Sequence, residues 1–164
     1  MTVRALDLFA GGGGVAVAMR ALGIDATHVE IDPDACATLR AAGERDVRCM
    51  DVRRLVPTLR RGDYDLVWSS HPCPKWSRAT SLTREKAVDG WPWALDVIDA
   101  VEPRLVCVEN VRGAPGEQWA MDLGRRGYKV TLGVLDAQWF GVPQTRRRLI
   151  LLASRTSHAP PRAA

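Results

Sequence analysis

The chain has 164 residues, of which 46% are hydrophobic and 26% charged, and its formal net charge of +4 corresponds to a pI of about 9.2. This length suits one domain, and the composition is typical of a folded globular protein rather than a disordered one. No run approaches the ~18 apolar residues needed to cross a bilayer, and the N-terminus lacks the features of a signal peptide, so we expect a cytoplasmic protein without a membrane partner.

The chain opens with a predicted strand, a glycine-rich turn and a helix. The strand covers residues 3–8, the turn residues 11–14 and the helix residues 15–22, with Gly23 as its stop. This order brings backbone amides close to a nucleotide-like ligand at a helix N-terminus. A glycine run alone is a weak signal, because it can also be a simple turn.

An acidic residue strengthens the case for a nucleotide-like ligand. A second strand is predicted over residues 26–31, followed by a helix over residues 33–42. Glu30 ends this strand about 20 residues past the glycine turn, a placement suited to gripping ribose hydroxyls. A GxGxxG motif starting at Gly12 would need glycine where Val17 stands. We therefore predict an adenosine-type cofactor rather than NAD, with a dehydrogenase as a distant alternative.

Strands and helices continue to alternate along the rest of the chain. The remaining predicted strands are 46–50, 65–69, 104–108, 128–135 and 148–153, and the helices are 91–101 and 117–126, with a short helix or loop at 52–61. Such alternation indicates an α/β fold with a doubly wound, mostly parallel seven-stranded sheet and helices on both faces. Residues 1–154 would form the domain. Residues 155–164 have the composition of a disordered tail.

Cys73 stands in a stiff loop after the predicted strand at 65–69. Pro72 and Pro74 flank it and restrict the backbone on both sides. A thiolate is a strong nucleophile near neutral pH, so Cys73 is a candidate for covalent catalysis. The alternative interpretation is that Cys73 is a small hydrophobic side chain buried in the core. The four cysteines are far apart and none forms a CxxC pair, which argues against a disulfide framework or a zinc site.

Polar or flexible residues follow the ends of several predicted strands. They are the turn at 11–14, Glu30, Asp51, Cys73 and Glu109. In a doubly wound sheet the carboxyl ends of the strands share one edge, and ligands bind there. The sequence therefore predicts one site at this edge. The alternatives are that Glu30 and Asp51 are helix N-caps and that Glu109 only closes a strand.

Together these residues resemble the DNA (cytosine-5) methyltransferases, which use S-adenosylmethionine (SAM). The similar motifs are DLFAGGGG at 7–14, Pro72-Cys73 with Ser77, Glu109-Asn110-Val111, and GVPQ at 141–144 followed by Arg146 and Arg148. The resemblance implies a Rossmann-like class I SAM-dependent methyltransferase fold. It also implies methyl transfer from SAM to C5 of cytosine, with DNA as the first-ranked substrate. The arginine clusters are weak evidence for nucleic-acid binding, because they could also form an ordinary solvated basic surface.

The resemblance also implies a role for each site residue. Cys73 would add to C6 of cytosine, Glu109 would engage N3 and the exocyclic amine, and Arg146 and Arg148 would hold the base or a phosphate. Glu30 would hold the ribose hydroxyls and Asp51 the adenine amino group. The full set of implied cofactor contacts is Asp7, Phe9, Ala10, Gly11, Gly12, Gly14, Glu30, Ile31, Asp51 and Pro72.

The chain departs from the family pattern in two ways. Pro74 stands in place of glutamine, Trp76 in place of phenylalanine, and Ile31 where an aromatic residue often contacts adenine. No segment corresponds to the family's target-recognition region. The substrate could therefore be DNA read with little sequence preference, RNA or a free cytosine nucleotide, or a partner chain could supply recognition. The competing hypothesis is a non-catalytic SAM-binding or nucleic-acid-binding module, which has no need of Cys73, Glu109 and Arg146.

Overall fold

A computed structural model describes residues 2–72 and 88–155 of the chain. The strands are β1 Arg4–Leu8, β2 Asp25–Glu30, β3 Asp46–Cys49, β4 Leu66–Ser69, β5 Leu105–Val111, β6 Lys129–Asp136 and β7 Arg147–Ser154. The helices are α1 Gly14–Ala21, α2 Pro33–Ala41, α3 Val52–Leu55, α4 Trp91–Val101 and α5 Gly116–Arg125, with 3-10 turns at Val56–Thr58 and Ala137–Phe140.

The strands form a single seven-stranded sheet in the order β3-β2-β1-β4-β5-β7-β6. Strands β1 to β5 pair in parallel, whereas β7 is antiparallel to both β5 and β6. This confirms the predicted, mostly parallel α/β sheet. The chain reverses its direction of progress across the sheet between β1 and β4, and ligands of open α/β sheets bind beyond the carboxyl ends of the strands at such a point.

Helices bury both faces of the sheet. Successive strand residues point to opposite faces, so Ala5 and Leu6 of β1 pack on different sides. Leu6 belongs to the main core with α3, α4 and α5, whereas Ala5 packs with Met19 of α1. A further cluster joins Ala16 of α1 to Leu39 of α2. Among the described residues, α1 and α2 lie on one side of the sheet and α3, α4 and α5 on the other.

Two local predictions need correction. β5 continues to Val111, so Glu109 and Asn110 lie inside the strand rather than after it. β5 is longer than predicted because its pairing with β7 continues as far as Val111 and Arg148. The predicted loop between β6 and β7 contains the 3-10 turn Ala137–Phe140.

Within residues 2–72 and 88–155, no helix combines the length and apolar character that a membrane span requires.

Candidate active site

The turn after β1 has an unusual backbone. Phe9 has a φ of 59°, and Gly11 and Gly13 also lie in the left-handed region. A positive φ is uncommon for a residue with a side chain and persists only where the surrounding fold imposes it. The amide of Ala10 donates to the carbonyl of Val29 at 3.1 Å and ties the turn to β2. The turn is therefore fixed by its neighbours.

The glycines of the turn serve two purposes. A Cβ added at Gly11, Gly12 or Gly14 would meet nothing within 4 Å, so these three residues line open space. A Cβ at Gly13 would lie 2.9 Å from Leu39 Cδ2. Gly13, which is part of the predicted turn but not of the predicted cofactor contacts, allows the turn to pack closely against α2.

Glu30 organises the backbone next to this turn. One carboxylate oxygen accepts from the amide of Gly11 at 2.7 Å, and the other accepts from Ile31 at 2.7 Å and Asp32 at 2.9 Å. A carboxylate has about four acceptor positions, so capacity for a further donor remains. The cap of α2 is Asp32, not Glu30. Ile31 beside it is 64% exposed and offers an apolar surface.

Asp51 is engaged by its own helix. It is the N-cap of α3, accepting from the amide of Arg53, and its carboxylate pairs with the Arg53 guanidinium. The Arg53 contact lowers the pKa of Asp51 to about 2. Arg53 also lies over the ring of Trp93, at 4.7 Å from its centroid. The N-cap alternative is thus correct for Asp51, and its contact with an adenine amine stays a prediction.

Asp7 is fully buried beneath the turn. Its carboxylate lies 2.9 Å from Nδ1 of His28, whose Nε2 is 3.3 Å from Glu44. Burial lowers the pKa of His28, but the two carboxylates outweigh that effect and raise it. Burial raises the pKa of Asp7 against the opposing effect of His28. This position suits a supporting role beneath the turn, and direct cofactor contact by Asp7 stays a prediction.

The ends of β1 and β4 meet at Gly90. A Cβ there would lie 2.9 Å from His71 Cβ, 3.0 Å from Pro72 Cδ and 3.4 Å from Phe9 Cζ. Only glycine allows this approach without displacing its neighbours. The structure thus brings Phe9 and Pro72, both predicted cofactor contacts, to one place.

His71 fills an aromatic pocket behind Pro72. Its ring centroid lies 4.5 Å from that of Trp119 and 5.4 Å from that of Trp91, and its Nδ1 is 3.1 Å from Ser69 Oγ. Burial lowers the pKa of His71 to about 4, so the ring is neutral at pH 7. The side-chain amide of Asn110 donates to the His71 carbonyl at 3.0 Å. Strand β5 therefore holds the residue that precedes Pro72.

Glu109 and Arg148 form an ion pair at the same edge. The Arg148 Nε lies 2.8 Å from the Glu109 carboxylate. The side chain of Arg146 is exposed, and its backbone amide donates to Asp136 at 3.0 Å. The predicted nucleophile Cys73 lies outside the described residues, as do Pro74, Trp76 and Ser77.

Two other cysteines are poor nucleophiles. Burial raises the pKa of both Cys36 and Cys107 to about 11. A thiol with so high a pKa is almost wholly protonated near neutral pH. The third described cysteine, Cys49, is exposed on the edge strand β3.

A family model for C-5 cytosine-specific DNA methylase matches residues 3–162. The chain belongs to this family. It is 33% identical to the type II methyltransferase M.NaeI of Lentzea aerocolonigenes, over 97% of this chain and 41% of that protein. It is 30% identical to M.AplI of Arthrospira platensis, over 96% of this chain and 47% of that protein.

Solved structures show the same fold. The S. pombe Dnmt2 methyltransferase superposes with a TM-score of 0.70 at 23% identity, covering 99% of this chain and 56% of that one. The predicted Rossmann-like SAM-dependent methyltransferase fold is confirmed. This C-5 cytosine-specific methylase chain spans about half the length of the relatives it matches.

Sequence reasoning overlooked several residues that support the edge of this methylase sheet. His71 and Gly90 shape the pocket behind Pro72, Asn110 holds the His71 carbonyl, and Asp136 anchors the segment before Arg146. Asn110 belongs to a motif that the sequence analysis noted without assigning it a role. Nothing local in the sequence marks His71, because its partners come from distant elements.

Proposed function

We propose that the chain transfers a methyl group from SAM to C5 of cytosine in DNA, through a covalent adduct of Cys73. The observation that carries this proposal is the common edge at which the glycine turn, Glu30, Pro72 and the Glu109–Arg148 pair lie, in a chain that belongs to the methylase family. The family and fold imply the use of SAM. This edge would hold both the cofactor and the target base.

The residues around the glycine turn fit an adenosyl group. Gly11, Gly12 and Gly14 line open space, Glu30 retains acceptor capacity for a sugar hydroxyl, and exposed Ile31 offers an apolar contact. Ala10, Phe9 and Pro72 would complete the cofactor contacts, and Asp51 would accept from the adenine amine once Arg53 moves aside. SAM supplies an electrophilic methyl group on a sulfonium.

The chain's own residues would act on the base. The Cys73 thiolate would add to C6 and make C5 nucleophilic. C5 would then take the methyl group as the bond between that methyl and the sulfonium sulfur of SAM breaks, which leaves S-adenosylhomocysteine. Loss of the C5 proton to solvent would break the bond between the Cys73 sulfur and C6 and restore the thiolate. Glu109 would engage N3 and the exocyclic amine, and Arg148 would hold that carboxylate in place. Arg146 would contact the base or a phosphate. In duplex DNA the target base must first leave the stack, at a cost of a few kcal/mol.

A substrate panel tests the proposal directly. The protein is incubated with tritiated SAM and, separately, with DNA, RNA, CMP and dCMP. We expect label in DNA, and none when Cys73→Ala is used, while that variant still binds SAM. Label in RNA or in a free nucleotide would change the substrate class. An absence of product with all four, at high protein concentration, would favour a non-catalytic binding module.

The part of each relative's sequence that lies outside the match to this chain is relevant to how the DNA target is recognised. More than half of M.NaeI and of M.AplI lies outside the matched region. Target recognition would then come from polypeptide other than residues 1–164, either in the same molecule or in a partner chain. Adding such a polypeptide should raise the rate on DNA without changing the rate on a free nucleotide.

A further inference from the structure

The hairpin tip between β6 and β7, residues 137–146, exposes a group of large apolar side chains. Trp139 is 65% exposed, Phe140 68% and Val142 45%. A single exposed apolar residue is ordinary on a protein surface. Three within four positions, two of them aromatic, form a patch of the kind that marks a binding surface.

The hairpin is held in shape by one buried carboxylate. Asp136 accepts from the amide of Arg146 at 3.0 Å, from Arg147 Nε at 3.1 Å and from Gln138 Nε2 at 3.1 Å. The amide of Ala137 donates to the carbonyl of Arg146 at 3.1 Å and closes the base of the hairpin. Because the tip is formed in advance, a ligand would bind there with little ordering of the backbone.

The charges beside the patch are positive. Arg146 at the base of the hairpin and Arg112, which directly follows β5, are exposed, and so is Arg147, whose guanidinium also pairs with Asp136. Glu109 of β5 and Arg148 of β7 form their ion pair at this end of the sheet, so the hairpin stands at the edge where the base would react. Exposed aromatic faces next to guanidinium groups suit a nucleic-acid strand, since bases stack on the rings and phosphates pair with the arginines.

We propose that Trp139 and Phe140 stack on an unpaired base of the DNA strand that carries the target cytosine. This inference rests on the proposed function, because it takes DNA as the substrate of the neighbouring site. The exposed arginines contact the phosphates on either side of the stacked base. The hairpin thus supplies a binding surface close to the reaction, independent of any target-recognition region.

Fluorescence anisotropy of the full chain with a labelled DNA duplex tests this assignment. In this duplex the base next to the target cytosine, on the same strand, lies opposite an abasic site, and a fully paired duplex serves for comparison. We expect Trp139→Ala to weaken binding about tenfold, and Trp139→Phe to stay within about threefold because the ring is kept. The dependence of log Kd on log salt should be unchanged in Trp139→Ala, since no charge is removed. Met121→Ala, at a half-exposed residue of α5, is the matched control and should bind as wild type.

The outcomes separate this inference from the proposed function. Wild-type affinity in Trp139→Ala, or an equal loss in Trp139→Phe, would overturn the stacking role. Methyl transfer is followed in the same mixtures. Weaker binding by Trp139→Ala with no transfer by the wild type would keep the hairpin role and reject the proposed function. Self-association that Trp139→Ala abolishes, with DNA affinity unchanged, would assign the patch to a second copy and overturn the proposal.

Discussion

The Arg148 guanidinium lies 2.8 Å from the Glu109 carboxylate, across the antiparallel pair of β5 and β7. Val111 is the direct partner of Arg148, so Glu109 is its diagonal neighbour, within reach of a long side chain. Both side chains are about one quarter exposed, at 25% and 26%. The pair fixes the direction of Glu109 while leaving it open to a ligand.

This pair predicts coupled effects on methyl transfer. We expect Glu109→Gln to lower kcat about 100-fold, within the range for a lost acid–base group, and Arg148→Met to lower it about tenfold. The double variant should resemble Glu109→Gln alone, because the main effect of Arg148 passes through Glu109. Steady-state rates at saturating SAM and DNA give kcat for all three variants. Arg125→Met, on the exposed side of α5, is the control, and strictly additive losses would contradict the coupling.

Glu30→Gln should weaken SAM binding. The substituted amide can no longer accept from Gly11 on one side and from both Ile31 and Asp32 on the other. Lost hydrogen bonds to a charged group correspond to roughly a tenfold or larger rise in Kd. Isothermal titration with SAM measures it. Glu117→Gln, in the exposed first turn of α5, should leave Kd unchanged; an equal Kd for Glu30→Gln would remove this residue from the cofactor site.

Asn110→Asp should separate cofactor binding from adduct formation. Aspartate keeps an oxygen for the amide of Val111 but cannot donate to the His71 carbonyl. We expect a loss of about 1–3 kcal/mol in the free energy of unfolding, as for a buried acceptor left unpaired. Adduct formation with a fluorinated cytosine substrate, seen by mass spectrometry, should slow while the Kd for SAM changes little. Unaltered adduct formation in a stably folded variant would contradict a positioning role for Asn110.

His71 should make the fold sensitive to acid. Its folded pKa of about 4 lies below the ordinary value of 6.5, so the unfolded chain binds this proton first as the pH falls. Above pH 6.5 the neutral His71 contributes about 3 kcal/mol to the free energy of unfolding. This contribution is lost progressively as the pH falls from 6.5 to about 4. His71→Phe keeps a ring between Trp91 and Trp119 and removes the titration. Urea unfolding at pH 7.5 and pH 5 should show a smaller drop for His71→Phe than for wild type. Equal drops would show that His71 does not cause the acid sensitivity.

The sequence could predict those features that are encoded locally. Alternating apolar strands and helices indicated the sheet, because hydrophobic periodicity reflects burial within each element. The glycine run indicated a turn after the first strand, and the structure has that turn, with Phe9, Gly11 and Gly13 in the left-handed region. Glu30 could be placed beside the turn because neighbouring parallel strands end at the same edge.

Contacts between distant segments could not be predicted in this way. The insertion of β7 between β5 and β6 brings Arg148 to Glu109 and extends β5 through Asn110. His71 and Asn110 are 39 positions apart, and their hydrogen bond depends on the pairing of β4 with β5.

The sequence alone therefore determined the fold class, the glycine turn, the acidic residue beside it and the family resemblance. The tertiary structure decided which side chains meet: Arg148 with Glu109, Asn110 with the His71 carbonyl, Asp7 with His28, and Asp51 with Arg53. The physical reason is that periodicity and turn chemistry act over a few residues. Strand order and close packing are set by the whole chain at once.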